Sequence, residues 1–505
     1  MIPPMLVLFS WPLVVIGLFR RLDVAAALCW TVVAGYLLLP GKTEINLPVL
    51  PTLDKDTVPI LMALAVMLVV TQVQKKPRHG APVTDDTLPG WLPQSRIGMI
   101  LIIAIPISAF LTVLTNGDRL IYGPKVFQGL RIYDGFSAVL ASLMTVLPAL
   151  LARKFMAHER AHRTLLLVFC ISAFVYSFPA LYEVRMSPQI NLHVYGFVGS
   201  DWIQNKRAGG FRPFVFLRHG LWLAIFMACA VLATVALIRL SEGRDKWKYA
   251  ALAGWLFVTL FLCKTLGALA IAVMLIPAML LFNIRAQLVT AALVAGTILF
   301  YPAARETGLL PLDRIVSIAR SIDPQRGSSL QFRLNNEDIL LEKARERPLF
   351  GWGGWGRARV YDEEGRDISV TDGRWVISIG TNGWFGYLTR FGLLTLPILI
   401  LAFRKRKYEV GLATSCLSLV LAGNLIDLIP NAGLTPVTWL MAGALLGRLE
   451  LERDTAPDTA TAMSKTENRP DRTVRRPLHG EPVANAGGSY SRFSPTHTRS
   501  TASKR

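Results

Sequence analysis

The residues best suited to chemistry lie in one polar stretch, 327–390, set between two groups of hydrophobic segments. Outside the C-terminal tail, no other part of the chain is as rich in charge, glycine and tryptophan. Ser328 or Ser329 can cap a helix whose apolar positions Leu330, Leu334, Leu341 and Ala344 fall roughly on one face. Its polar face carries Arg333 four residues before Glu337 and Glu342 four before Glu346, and Pro348 ends it. Phe350-Gly351-Trp352-Gly353-Gly354-Trp355-Gly356 follows. Glycine lets backbone approach a ligand closely, and a tryptophan face suits a sugar ring or a bilayer interface. The plainer reading is a folded loop that only plugs a helix bundle.

A second set of residues stands where lipid should be. Ionisable groups inside apolar segments are costly, so each one suggests function. Arg212-Pro213 leads to Arg218-His219 at the start of an apolar run over 214–238. A helix over that run puts Arg218 and His219 just inside the apolar region, where both donate well to phosphate oxygens. Snorkelling to head groups is the plainer alternative. Lys264, in a tight turn between two apolar runs, adds a cation at the same depth, and an interfacial anchor is the plainer role for it. Glu183, Arg185 and His193 belong to an adjoining polar loop, and Asp427 with Asn424 ends another apolar run. Cations gathered at one depth suit a lipid-linked pyrophosphate, and a transported anion nearly as well.

The elements that must position these residues are membrane helices. The chain is 52% hydrophobic, with a mean hydropathy of +0.42. Thirteen apolar segments have spanning length, near 3–19, 22–39, 57–73, 97–115, 136–152, 164–181, 214–238, 247–263, 266–283, 286–302, 383–403, 409–427 and 433–448. The first lacks a cleavage-site pattern and runs into Arg20-Arg21, so it reads as a retained span. Arg20-Arg21, Lys75-Lys76, Arg153-Lys154, Arg244 to Lys248, Arg285 and Arg404 to Lys407 recur on one side, which the positive-inside rule makes cytoplasmic. The loops 40–56, 116–135, 182–213 and 303–382 then face outward. A net charge of +20 would suggest nucleic acid in a soluble protein, but here anionic lipid is the expected counter-charge. Five cysteines, all in apolar segments and without motif spacing, imply core packing and neither disulfides nor a metal site. No repeat is visible, and the segment 451–505, poor in large apolar residues, reads as a disordered cytoplasmic tail.

The fold class is therefore all-α, a polytopic integral membrane protein of about 12–13 spans with one large extracytoplasmic loop. Its segments are an N-terminal bundle 1–302, the loop 303–382, C-terminal helices 383–450 and the tail.

The loop motifs resemble a known family. Phe332-Arg333, Leu341 to Arg345 and Arg347-Pro348-Leu349-Phe350-Gly351-Trp352-Gly353-Gly354 are similar to the hallmark of the O-antigen ligase and O-antigen/exopolysaccharide polymerase superfamily. Thr381-Asn382-Gly383-Trp384-Phe385-Gly386 looks like that family's return into the membrane. Lys264-Thr265-Leu266-Gly267-Ala268 looks like its Ser-Arg-Gly-Ala span start with Lys for Arg. Arg212-Pro213 with Arg218-His219-Gly220 is similar to a motif of the exopolysaccharide branch. The resemblance covers roughly 180–395 and implies a GT-C-like membrane glycosyltransferase of the bacterial inner membrane. It would use undecaprenyl-diphosphate-linked glycans, need no cofactor or metal, and work with a chain-length regulator or export proteins.

By that resemblance Arg212, Arg218, Lys264, Arg333 and Arg185 would hold the diphosphate. Asp372 would act as base with His219 and Glu342 as alternates, and Trp352, Trp355 and Trp375 would stack on glycan. One departure matters: ligases of the family carry a His just before the Asn at the loop's end, where this chain has Thr381. That favours a repeat-unit polymerase over a ligase acting on lipid A core. A lipid-linked oligosaccharide flippase would use the same cations, and a non-catalytic assembly partner would use none of them for chemistry.

Overall fold

Every apolar segment predicted from the sequence forms a helix in the computed structural model, which describes residues 1–73, 87–199, 205–207, 209–404, 408 and 410–451. In chain order these are α1 (Pro4–Arg21), α2 (Val24–Leu38), α3 (Thr57–Val73), α4 (Arg96–Leu114), α5 (Ile132–Phe155) and α6 (Glu159–Met186). After a short α7 (Ile190–Tyr195) come α8 (Gly220–Arg239), α9 (Gly243–Leu262), α10 (Leu266–Leu281) and α11 (Ile284–Glu306). Two polar helices, α12 (Leu312–Ile322) and α13 (Pro324–Arg345), precede α14 (Arg374–Phe403), α15 (Leu412–Asp427) and α16 (Pro436–Arg448). The only sheets among the described residues are two hairpins, β1 (Leu120–Tyr122) with β2 (Lys125–Phe127) and β3 (Lys206–Arg207) with β4 (Gly210–Phe211).

The protein is an all-α polytopic membrane protein. Seven helices among the described residues, α1, α4, α5, α6, α8, α11 and α14, are long and apolar enough to cross a bilayer, and α2, α10, α15 and residues 58–69 of α3 are shorter apolar helices. Residues Met1–Arg453 form one unit, so the bundle, loop and C-terminal helices inferred from the sequence fold together. The tail, like Lys75-Lys76 and Lys405 to Lys407, lies outside the described residues.

Helix α8 is the centre of the bundle. It is apolar all round, as a helix surrounded by others must be, and Leu223 to Leu237 are all buried. Alanines at 224, 228, 230, 233 and 236 let α6, α9, α10 and α15 close on it. Helix α16, buried from Val437 to Arg448, seats on α5 through Gly443 and Gly447. A Cβ at these positions would come 2.2 Å from the Ala149 carbonyl oxygen and 2.4 Å from that of Arg153, so the two backbones touch. All five cysteines are buried and free, as core packing requires.

Four boundaries differ from the sequence reading. The run 214–238 is not one helix: α8 starts at Gly220, and Phe214 to His219 form a turn ahead of it with Phe214, Val215 and Leu217 buried. Glu183 and Arg185 belong to α6 rather than to a loop, because that helix continues to Met186. The polar helix α13 begins at Pro324, ahead of the serines expected to cap it, and Ser328 instead donates back to the Pro324 carbonyl. Finally α14 starts at Arg374, nine residues before the expected span, and breaks at Gly383.

The loop segments fold into one layer over one end of the helices. Arg347 pairs with Asp118 at 2.7 Å, and the buried Arg357 donates to the carbonyls of Gln128 and Asp118. The Arg347 hydrogen bond holds the Asp118 carboxyl below its usual range. Tyr361 packs against the rings of Tyr122 and Phe127, joining the first hairpin to the large loop.

The Pro348–Gly351 turn docks on the break in α14. Trp352 and Gly353 donate to the carbonyls of Gly380 and Thr381, while Trp384 and Phe385 donate to those of Pro348 and Leu349. Four backbone groups freed by the helix break are thereby satisfied.

Candidate functional site

A cavity of about 300 Å³ opens where this layer meets the helices. Its wall comes from Asp54, Asp56 and Thr57 at the start of α3, from Met144, Thr145 and Pro148 of α5, from Arg374, and from Thr435, Pro436 and Trp439 of α16. Pro436 sits in the first turn of its helix, where its missing N–H costs nothing.

Arg374 is the cation of this wall. Its guanidinium makes no hydrogen bond or ion pair among the described residues, and its Nε is buried without a partner. Its own backbone fixes it: the Arg374 N–H donates to the carbonyls of Leu428 and Asn431 at 2.9 and 3.0 Å.

The wall also includes two carboxylates of an acidic turn, Asp54-Lys55-Asp56. Asp54 Oδ1 accepts from the backbone N–H groups of Asp56 and Thr57, capping α3, and its Oδ2 takes 2.7 Å from Arg218 Nη2. Arg218 also approaches Asp56 at 3.5 Å. Lys55 is fully buried, with Nζ 3.4 Å from the Phe216 carbonyl, and burial pulls its ammonium down to about 8. Asp56 Oδ1 is buried and has no hydrogen-bond partner. Burial, and then the neighbouring Asp54, push the Asp56 carboxyl above its usual range.

The turn carrying Arg218 is held by Glu183. Its carboxylate, wholly buried, accepts from the backbone N–H groups of Ile190, Phe214 and Val215 at 3.1, 2.9 and 2.8 Å. Val215 has φ +52, a conformation that such a clamp must hold. Glu183→Ala strands three amides at once and is expected to cost about 3 kcal/mol or more. The check is a thermal melt in detergent, in which Glu183→Gln, keeping one acceptor oxygen, should fall between the two.

The other sequence-predicted residues scatter around this centre. Arg333 reaches Asp372 at 3.5 Å and the Pro430 carbonyl at 3.4 Å, so it sits on the same 428–431 segment that anchors Arg374. Asp427, which ends α15, is buried and accepts from Asn431 at 2.7 Å. Arg212 and Lys264 gather at the second hairpin instead. A Cβ on Gly220 would touch the Arg212 stem and one on Gly210 would meet Lys264 Nζ. Arg185 is exposed at the end of α6, with no part in the cavity wall.

None of the three expected bases lines the cavity as described. Asp372 faces Arg333 on the loop. His219 caps α8, accepting from the Leu221 N–H through Nδ1, so its neutral ring carries a proton on Nε2 and offers no free acceptor nitrogen. Glu342 is exposed, on the side of α13 opposite Arg333.

Two of the three tryptophans are not stacking faces. Trp352 is buried, its indole N–H bonded to the Lys343 carbonyl and its ring under Arg347 at 4.0 Å. Trp375 is buried edge-on to Tyr301 at 5.1 Å. Trp355 is 61% exposed, holds a strained φ of +54, and walls a smaller cavity of about 140 Å³ with Gly353, Gly354, Arg359 and Thr371.

Sequence reading placed Glu337 on the polar face of α13, one turn from Arg333, but gave it no role in the site. Its side chain is 9% exposed and 3.7 Å from Arg305, and burial raises its carboxyl from 4.5 to about 7. The folded state therefore favours the protonated acid. Stability from this group is present below pH 4.5 and falls away as pH rises toward 7, by on the order of 3 kcal/mol. Melts from pH 4.5 to 8 should show that loss, and Glu337→Gln should abolish it.

Among the described residues no group of three or more His, Cys, Asp or Glu side chains is placed to hold a metal ion. No protein-family model and no curated protein sequence matches this chain.

Proposed function

We propose that the protein is a membrane glycosyltransferase that joins undecaprenyl-diphosphate-linked oligosaccharide repeat units, polymerising an exopolysaccharide or O-antigen. The observation that carries this reading is the unpaired Arg374 guanidinium in the wall of the cavity between helices and loop layer. A buried cation without a counter-ion favours an anion there, and a diphosphate at membrane depth meets that demand. At about 300 Å³ the cavity is at the lower end for ligand sites.

Transfer breaks the bond from the anomeric carbon to the diphosphate oxygen, and negative charge grows on the leaving group. Arg374, with Arg218 behind the lining residues Asp54 and Asp56 and Arg333 on the shared 428–431 segment, would stabilise that charge. Trp355 would stack on the glycan. The positive-inside rule assigns the cavity and loop layer to the periplasmic side of the inner membrane and the tail to the cytoplasm.

The test is purified protein in liposomes supplied with the host's lipid-diphosphate-linked repeat unit. Longer lipid-linked glycan is the expected product. Intact repeat units crossing the bilayer with no new glycosidic bond would replace the enzyme with a flippase.

A further inference from the structure

We propose that Asp56 is the base that takes the proton from the acceptor hydroxyl, a step that rests on the glycosyl-transfer reading above. The acidic turn 54–56 looks like ordinary loop charge in the sequence, but its two carboxylates have different partners. Asp54 is spent on the α3 cap and on Arg218 at 2.7 Å. Asp56 lines the same cavity with Oδ1 buried and unpartnered, 3.5 Å from Arg218 through Oδ2.

The cavity wall thus holds Arg374, whose guanidinium is unpaired, and Asp56, whose buried Oδ1 has spare acceptor capacity. A leaving diphosphate and an attacking hydroxyl need those two groups in one cavity.

The step balances without another reactant. The acceptor O–H proton moves to the Asp56 carboxylate as the acceptor oxygen bonds to the anomeric carbon. The carbon–oxygen bond to the diphosphate breaks, and its electron pair leaves with undecaprenyl diphosphate. Asp56 then returns its proton to solvent. The groups facing Asp56 are Asp54 and Lys55 on its own turn, Arg218 on the turn before α8 and Tyr36 on α2, while Arg374 at the start of α14 lines the same cavity. Burial raises the Asp56 carboxyl, which brings its basicity toward working pH.

The experiment compares wild type and Asp56→Asn in chain extension with the host's lipid-linked repeat unit, from pH 5 to 9. Undecaprenyl diphosphate binding is measured in parallel by thermal shift. Asp56→Asn is expected to lose on the order of 100-fold or more in kcat, with undecaprenyl diphosphate binding within a few-fold of wild type. Wild-type kcat/KM should fall on the acid side, a limb that should be missing from the residual activity of Asp56→Asn. If Asp56→Asn does not fold, the wild-type profile still decides: a rate flat down to pH 5 overturns the proposal. Asp56→Asn extending chains at the wild-type rate overturns Asp56 as base and leaves the transfer reading standing. Wild type that binds undecaprenyl diphosphate but never extends a chain overturns both.

Discussion

Arg374→Gln is expected to cut chain extension by on the order of 100-fold or more, with little change in the folded protein. Two features set that expectation. The guanidinium makes no ion pair among the described residues, so removing its charge breaks no internal bridge. The backbone of residue 374 is held by its own N–H on Leu428 and Asn431, which glutamine keeps. Stability should therefore hold or rise slightly, because a desolvated charge disappears. Activity should fall, because a donor aimed at a leaving group acts most strongly in the transition state. The kinetic signature is a drop in kcat exceeding the rise in KM. Arg374→Lys, a point charge in place of a planar fork, should recover only part of the loss. Wild-type turnover in Arg374→Gln would remove the cavity's main cation from the chemistry.

Gly383→Val is expected to undock the large loop and destabilise the protein by on the order of 4 kcal/mol or more. Gly383 has φ +63 and ψ −172, a region closed to side-chain-bearing residues. A Cβ there would lie 2.3 Å from the carbonyl carbon and oxygen of Leu349 and 2.5 Å from Phe350 N. Gly351, at φ +67, makes the reciprocal approach, 2.6 Å from the backbone nitrogens of Asn382 and Gly383. Loop turn and helix break meet backbone to backbone, so neither can retreat as a flexible side chain would. Thr112 and Asn116 of the α4 end then close over the turn, bonding the carbonyls of Phe350 and Gly351. Limited trypsin digestion reads the result: cleavage at exposed Arg366 should be slow in wild type and fast in Gly383→Val. Equal cleavage rates would mean that the loop does not depend on this seat.

Much of the bundle was legible because spanning length and apolar content are local properties of the chain. What failed were places where a distant partner decides local structure. Phe214 to Leu217 are apolar enough to extend a helix, but Glu183 on α6 accepts from the Phe214 and Val215 amides, and Tyr176 from that of Phe216, holding a turn. Hydropathy counts such a turn as span. The motif Pro348-Leu349-Phe350-Gly351 with Gly383 marked a real junction, since both glycines sit where backbones touch.

The candidate site was less legible. Arg218 and Arg333 were picked out for charge in unusual places, and they flank the cavity or the segment that bounds it. Arg374 was missed because it reads as part of a charged loop unless α14 is known to start there. Asp56 was missed because loop 40–56 reads only as an outward-facing connection between two spans. Its one signal is an acid-lysine-acid run abutting an apolar segment. Exposure, which separates Trp355 from Trp352 and Trp375, has no sequence signature at all.

The most direct test of glycosyl transfer is a mass balance. Purified protein in liposomes receives lipid-diphosphate-linked repeat units labelled in both lipid and sugar, without nucleotide sugar. One undecaprenyl diphosphate released for each new glycosidic bond, lost together with chain growth in Arg374→Gln, is the predicted result. Labelled sugar still joined to its original lipid after the full time course, with no free undecaprenyl diphosphate, would contradict it.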